Sequence, residues 1–295
     1  MIPQKELESK VRHIQIQSRK AVLELLAGEY RSGFKGMGIE FEDVREYQHG
    51  DDVRTIDWNV TARTGRPHVK TFMEERELAL YFLVDVSASE NFGSGTATKR
   101  DIIAQIFALL AFASAHNHDK VGLILFSDVI ELHLKPGKGK NHVMRLVEAM
   151  LGHEPKSPRT DLSQALDYLN QIRSRRCVVF LFSDFLDDDY ADSLRRTAHL
   201  HDLICISLTD PREHYLPSAG ILEIIDSETG ELRSLDCTDP RTRAQIQQTS
   251  QASAAALRNL CHEIKADLLP LSTADDFLHE IIQFFKTRNR QSTGS

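Results

Sequence analysis

From residue 77 onward the chain alternates between unbroken apolar runs and segments whose apolar residues recur every three or four positions. Leu78 to Val84 is such a run, ending at Asp85, and its lack of alternation predicts a central strand covered on both faces. Lys99 to Ala115 carries Ile102, Ile103, Ile106, Leu109, Leu110 and Phe112 at helical spacing, which predicts a helix with a broad buried face. Val121 to Phe126 reads as a second buried strand. Ile130 to Leu134 alternates behind the turn Ser127-Asp128, as an edge strand paired in a hairpin would. Helices are predicted at His142 to Leu151 and Leu162 to Ile172, a third buried strand at Cys177 to Phe182, a helix from about Tyr190 to Leu200, and a fourth strand at Leu203 to Leu208. Ile221 to Ile225 and Leu232 to Leu235 flank Ser227-Glu228-Thr229-Gly230, a hairpin signal. A helix from Arg241 to Ile264, a short strand from Asp267 to Leu271 and a helix from Asp275 to Phe285, preceded by the cap residues Ser272 and Thr273, close the series. This alternation implies an α/β fold: an open, mostly parallel sheet with right-handed crossovers and helices on both faces.

Upstream the texture differs. Leu7, Val11, Ile14, Ala21, Val22 and Leu25 suggest an amphipathic helix over Lys5 to Leu26. Residues 28 to 70 hold Gly33, Gly36 and Gly38, the run Ile39 to Phe41, the turn His49-Gly50-Asp51-Asp52 and the run Val69 to Phe72, which fit short strands and tight turns. The expected organisation is therefore an N-terminal helix and β-rich segment over 1–76, a sheet domain over 77–287 and a disordered polar tail over 288–295.

Composition narrows the function. A 295-residue chain with 41% hydrophobic and 27% charged residues can bury a sizeable core, as a soluble globular protein does. A net charge of −7, with Lys/Arg only in short patches such as Lys135 to Lys140, argues against nucleic acid as a partner. Cys177, Cys205, Cys237 and Cys261 form no CxxC pair and read as free thiols of a reducing compartment. The start Met-Ile-Pro-Gln-Lys-Glu is no secretory leader and no 18 apolar residues run together, so a cytoplasmic protein without direct membrane insertion is expected.

Ligands of open α/β sheets bind outside the carboxyl ends of the strands, where strand order reverses. Asp85-Val86-Ser87-Ala88-Ser89 leaves the first central strand there and can aim alternate side chains at one point. Thr160-Asp161 precedes the helix at Leu162, and Ser183-Asp184 ends the third buried strand. The set is all oxygen, which suits Mg²⁺ or Mn²⁺, whereas zinc would recruit Cys or His. The bland alternative is that these Ser, Thr and Asp residues only cap the helices that follow them. The arrangement resembles the metal-ion-dependent adhesion site of von Willebrand factor A-type domains, where a DxSxS motif is completed by a Thr and an Asp from later loops. That resemblance implies direct ligation by Ser87 and Ser89, ligation by Asp85, Thr160 and Asp184 directly or through water, and a coordination position left for an acidic side chain of a partner protein.

A longer resemblance covers most of the chain. Gly28-Glu29-Tyr30, Gly36 to Phe41, Arg45-Glu46-Tyr47, Gly50-Asp51-Asp52, Arg54, Ile56-Asp57-Trp58, Ala62-Arg63 and Glu74-Glu75-Arg76, leading into Asp85, together with Leu271 to Asp276 and Phe284-Phe285, are similar to the family catalogued as domain of unknown function 58. Members are typically bacterial and commonly encoded beside MoxR-type AAA+ ATPases. The resemblance thus implies an adaptor or co-chaperone that works with such an ATPase on a client protein. Glu90 departs from the family, which often has Met after the last Ser, and places a further negative charge near the proposed ion. Glu90, Arg54 and Arg63 are the residues expected at partner contacts. Alternating charges at Asp51, Asp52, Arg54, Asp57 and Arg63 also fit an ion-pair network, and Trp58, the only tryptophan, fits a core anchor. No enzyme is expected: Gly93 to Lys99 lacks the glycine and the Ser/Thr of a phosphate-binding loop, no Gly-x-Ser-x-Gly elbow occurs, and His116-Asn117-His118-Asp119 reads as a helix-end cap. A magnesium-dependent phosphoesterase and a metal-free scaffold are the alternatives.

Overall fold

The computed structural model describes residues 39–48, 50–74, 78–95, 97–225 and 227–292, with the backbone alone at 39–43, 70–74 and 289–292. The helix expected over Lys5 to Leu26 lies outside the described residues. The chain divides into two compact units, one of which is Gly36–Leu78.

In that smaller unit β1 (Ile39–Glu46) pairs antiparallel with β2 (His68–Glu74), with a bulge between Phe41 and Asp43. A 3₁₀ turn (Val53–Thr55) and a helix, α1 (Trp58–Thr64), lie between the strands. The helix was not expected, because seven residues are too few to show a period. Its ends are nevertheless specified. Asp57 accepts the backbone N–H groups of Asn59 and Val60, and Gly65 closes the helix in the left-handed region at φ 73°. Asp52 caps the 3₁₀ turn in the same way, and Asp51 is ion-paired to Arg45 at 2.7 Å. Two of the acidic residues read as network members thus serve as caps. Trp58 is 70% exposed and anchors no core, since the first residue of a short helix faces outward unless a neighbouring layer covers it.

The larger unit is built on a six-stranded sheet of order β10-β7-β6-β3-β4-β5, formed by β3 (Ala79–Asp85), β4 (Lys120–Phe126), β5 (Ile130–Gly137), β6 (Val178–Ser183), β7 (Asp202–Thr209) and β10 (Asp267–Ser272). All neighbours are parallel except the edge strand β5, which pairs antiparallel with β4 as the hairpin pattern predicts. In order of appearance the six strands lie 3-2-1-4-5-6, the doubly wound arrangement whose switch point falls between β3 and β6.

Every residue of β3 is buried, which is why its sequence shows no alternation. On one face Tyr81 and Leu83 share a cluster with Leu166 and Leu169 of α4 (Leu162–Ile172), Leu194 of α5 (Ala191–Leu200), and Leu257 and Cys261 of α7 (Pro240–Ile264). On the other face Phe82 stacks on Phe180 at 5.0 Å and meets the edge of Phe107 at 4.9 Å; Phe107 belongs to α2 (Lys99–His116), against which α3 (Lys140–Gly152) packs. All four cysteines are buried free thiols.

A short helix, α6 (Pro211–His214), follows β7, and β8 (Ile221–Ile225) pairs with β9 (Leu232–Asp236) as a separate hairpin. The last helix, α8, runs from Phe277 to Ser292, so the tail expected to be disordered from Arg288 is helical as far as it is described. The reason is Arg288 itself, whose buried guanidinium pairs with Asp202 and Asp267 at the amino ends of β7 and β10. Among the described residues no helix is long and apolar enough to cross a membrane.

Candidate metal centre

Parallel register sets the site. Val84 lies opposite Phe182, so the residues that follow, Asp85 and Ser183, leave adjacent strands side by side at the switch point. Asp85 Oδ2 accepts from Ser183 Oγ at 2.9 Å and from Thr160 Oγ1 at 3.3 Å, while Oδ1 accepts from Ser87 N at 2.9 Å. Ser87 Oγ lies 3.2 Å from Ser89 Oγ. The loop carrying Thr160 is held in place by backbone bonds from Ala88 N to Pro158 O and from Asp161 N to Ser127 O, each 3.1 Å. Asp85, Ser87, Ser89 and Thr160 are therefore brought to one point, with Asp184 one residue beyond Ser183.

Simple capping does not account for these hydroxyls. Ser87 stands at the cap position of the 3₁₀ turn Ala88–Asn91, yet its side chain makes no capping bond. Thr160 precedes the true cap of α4, Asp161, whose carboxylate accepts from Gln164 N. After Asp184 the backbone turns sharply through Phe185 at φ 57°, a conformation unfavourable for a bulky residue and characteristic of functional sites.

Two further groups complete the cluster. Glu90, expected at a partner contact, is instead fully buried: the 3₁₀ turn folds it inward, and neither carboxylate oxygen accepts a hydrogen bond. Oxygens of Asp85, Glu90 and Asp184 all lie within 4.8 Å of one another. Lys99, the first residue of α2, is equally buried and pairs with Asp184 Oδ2 at 3.0 Å and with Glu213 Oε1 of α6 at 2.9 Å. Sequence reading missed both Lys99 and Glu213. A signal for Lys99 exists, since a lysine in the first turn opposes the positive end of the helix dipole and calls for nearby negative charge. Glu213, 114 residues further on, has no such signal.

The electrostatics follow from burial. Desolvation, reinforced by Asp184, pushes the Asp85 carboxyl up to about 7. The same two causes push Glu90 well above the usual carboxylate range. Burial alone would lower the Lys99 ammonium, but Glu90, Asp184 and Glu213 outweigh it and raise it. Four carboxylates thus surround one cation, and three of them are buried. Removing an ion from water costs several kcal/mol or more unless it is paired, about 20 kcal/mol in the idealised limit, so these carboxyls are ionised together only with a further cation beside them. The residues present fit a divalent metal: hard oxygen donors, hydroxyls free of capping duty, and a carboxylate without a hydrogen-bond donor. Beside Asp184 and Glu213 opens a mainly apolar cavity of about 450 Å³, lined also by Phe185, Leu186, Leu235 and Ile246.

Of the residues expected at partner contacts, Arg54 and Arg63 are exposed on the smaller unit.

The mostly parallel, doubly wound sheet with helices on both faces matches a von Willebrand factor A-like α/β fold. The chain belongs to the family described as Protein of unknown function DUF58, which matches residues 43–256. It is 31% identical to the uncharacterised proteins Mb1516 of Mycobacterium bovis and Rv1480 of Mycobacterium tuberculosis, over 97% of this chain and 90% of each of theirs. Similar solved structures include BatB of Bacteroides thetaiotaomicron, 11% identical with a TM-score of 0.44, covering 72% of this chain and 99% of BatB. The SpRpn10 VWA domain is also 11% identical, with a TM-score of 0.39, covering 70% of this chain and 94% of that domain.

Proposed function

We propose that the chain is a divalent-cation-dependent protein-interaction module, an adaptor or co-chaperone that works in the cytoplasm with a MoxR-type AAA+ ATPase on a client protein. The observation that carries the metal is the buried cluster of Asp85, Glu90 and Asp184, whose oxygens lie within 4.8 Å of one another and which Lys99 alone would not balance with all three ionised. Ser87 and Ser89 would hold Mg²⁺ or Mn²⁺ directly, and Asp85, Thr160 and Asp184 directly or through water. Bound there, the ion supplies a Lewis-acidic point at the sheet edge for an oxygen of the partner. The reading is of a binding module and not of an enzyme. Asp85 is 1% exposed and its oxygens accept three hydrogen bonds, which suits a ligand and not a nucleophile.

Arg54 and Arg63 are proposed as part of the ATPase-facing surface, because both are exposed and the same unit presents Trp58 and Val53 to solvent at 70% and 62%. Affinity capture from the native host, with and without EDTA, tests the function. The expected result is recovery of an AAA+ ATPase or client that is lost with EDTA and with Asp85→Ala. Identical capture under all three conditions would overturn the metal dependence.

A further inference from the structure

Resting on the reading of this site as a metal centre, we propose that Glu90 is itself a direct ligand of the ion. The cation is then held by three carboxylates of this chain, and the partner completes its shell with a neutral oxygen, not an acid. Glu90 is buried, points into the cluster and has no hydrogen-bond donor at either oxygen, whereas Asp85 has three donors. Lys99 does not supply the missing partner, because its hydrogen bonds go to Asp184 and Glu213. Buried without a donor, this carboxylate stays ionised only with a cation beside it, and a divalent ion within the cluster supplies one directly.

The dimensions agree. Oxygens on opposite sides of an octahedral Mg²⁺ lie about 4.2 Å apart, twice the metal–oxygen distance of about 2.1 Å. A set spanned within 4.8 Å closes on one ion with a few tenths of an ångström of inward movement. The charges also decide the kind of partner. With the ion bound and all four carboxyls ionised, Asp85, Glu90, Asp184 and Glu213 against Lys99 and a divalent cation leave one net negative charge. A partner carboxylate would raise the excess again, while a carbonyl, hydroxyl or water oxygen would not.

Mn²⁺ is the probe. Full-length protein stripped with EDTA is titrated with Mn²⁺, and affinity and water-proton relaxivity are read for the wild type, Glu90→Met and Glu90→Gln. Met is a soft ligand that does not bind such ions, and Gln keeps one carbonyl oxygen. Neither variant should impair folding, since each removes a buried carboxyl that no donor satisfies, and metal-free melting temperatures at or above the wild type verify this. Glu90→Met should bind Mn²⁺ about 10- to 100-fold more weakly and with higher relaxivity, because water replaces the lost carboxylate. Glu90→Gln should fall between. Added acetate should lower the relaxivity of Glu90→Met and leave the wild type unchanged.

Equal affinity and relaxivity in the wild type and Glu90→Met would overturn Glu90 as a ligand and leave the metal site standing. Acetate displacing water equally from both would overturn the neutral partner oxygen. A wild type that binds no Mn²⁺ would instead remove the metal reading beneath the proposal.

Discussion

Asp210→Asn should destabilise the larger unit by about 2 to 4 kcal/mol at pH 7. Asp210 is fully buried at the end of β7, where Oδ1 accepts from Ser94 Oγ at 2.6 Å and Arg212 N at 2.9 Å. Oδ2 accepts from Ser94 N at 2.9 Å and Thr273 Oγ1 at 2.7 Å. Burial alone would raise this carboxyl, but the four donors outweigh it and hold it at about 2, below its ordinary 3.8. At about 1.4 kcal/mol per unit, the depression corresponds to about 2 kcal/mol of folding stability. Asparagine adds a geometric penalty. Each carboxylate oxygen receives one backbone N–H, so the amide nitrogen faces a donor in either orientation, which costs about 1 to 3 kcal/mol and overlaps in part with the lost charge.

The sign with pH is fixed. A depressed carboxyl contributes its stability above the unfolded pKa and loses it as pH falls through the folded one, so the charge-dependent part of the difference should vanish between pH 4 and pH 2. Urea unfolding of both proteins across that range is the assay. A difference below about 0.5 kcal/mol at pH 7, or one that stays the same at pH 2, would refute the reasoning. Asp210 also bears on the buried acidic cluster: its backbone N–H donates to Glu213 Oε2, whose other oxygen pairs with Lys99.

Lys99→Met should cost about 3 to 5 kcal/mol in EDTA, because it leaves the buried Asp184 without its cation and Glu213 without its partner. Mn²⁺ should restore part of that loss in a thermal melt, and a variant as stable as the wild type in EDTA would show that Lys99 is not compensating the cluster. Arg54→Ala and Arg63→Ala should change stability by less than about 0.5 kcal/mol, as exposed residues do, while weakening capture of the ATPase. A lowered melting temperature with unchanged capture would make them structural.

The sheet was legible because its strands are buried on both faces. Runs such as Leu78 to Val84 and Cys177 to Phe182 leave no room for another reading, and the observed strands differ from them by a residue at each end. The meeting of the candidate residues was legible for a related reason: Asp85 and Ser183-Asp184 end strands that parallel register sets side by side, and Thr160 precedes a helix whose entry loop reaches Asp85. Lys99 was passed over because it was weighed as the end of a failed phosphate loop and the start of a helix, although a lysine in a first helical turn is itself a sign of nearby acid. Glu90 was taken to face a partner because nothing in a polar residue's identity shows that a 3₁₀ turn will fold it inward. Arg288 looked like solvated tail for the same reason, its two carboxylate partners being 86 and 21 positions away. The β8–β9 hairpin shows the converse. Its pattern gave the right structure, but Ile221 and Ile225 are 71% and 67% exposed, so strand propensity there does not mark a core.

The central claim is that the buried cluster at the β3–β6 switch point holds a divalent ion. Calorimetric titration of Mn²⁺ into EDTA-stripped protein tests it most directly, with Asp85→Ala as control. Saturable binding of one ion per chain in the wild type, abolished by Asp85→Ala while the variant keeps its circular dichroism spectrum, is the predicted result. The absence of saturable binding in the wild type, or binding that Asp85→Ala leaves intact, would contradict it.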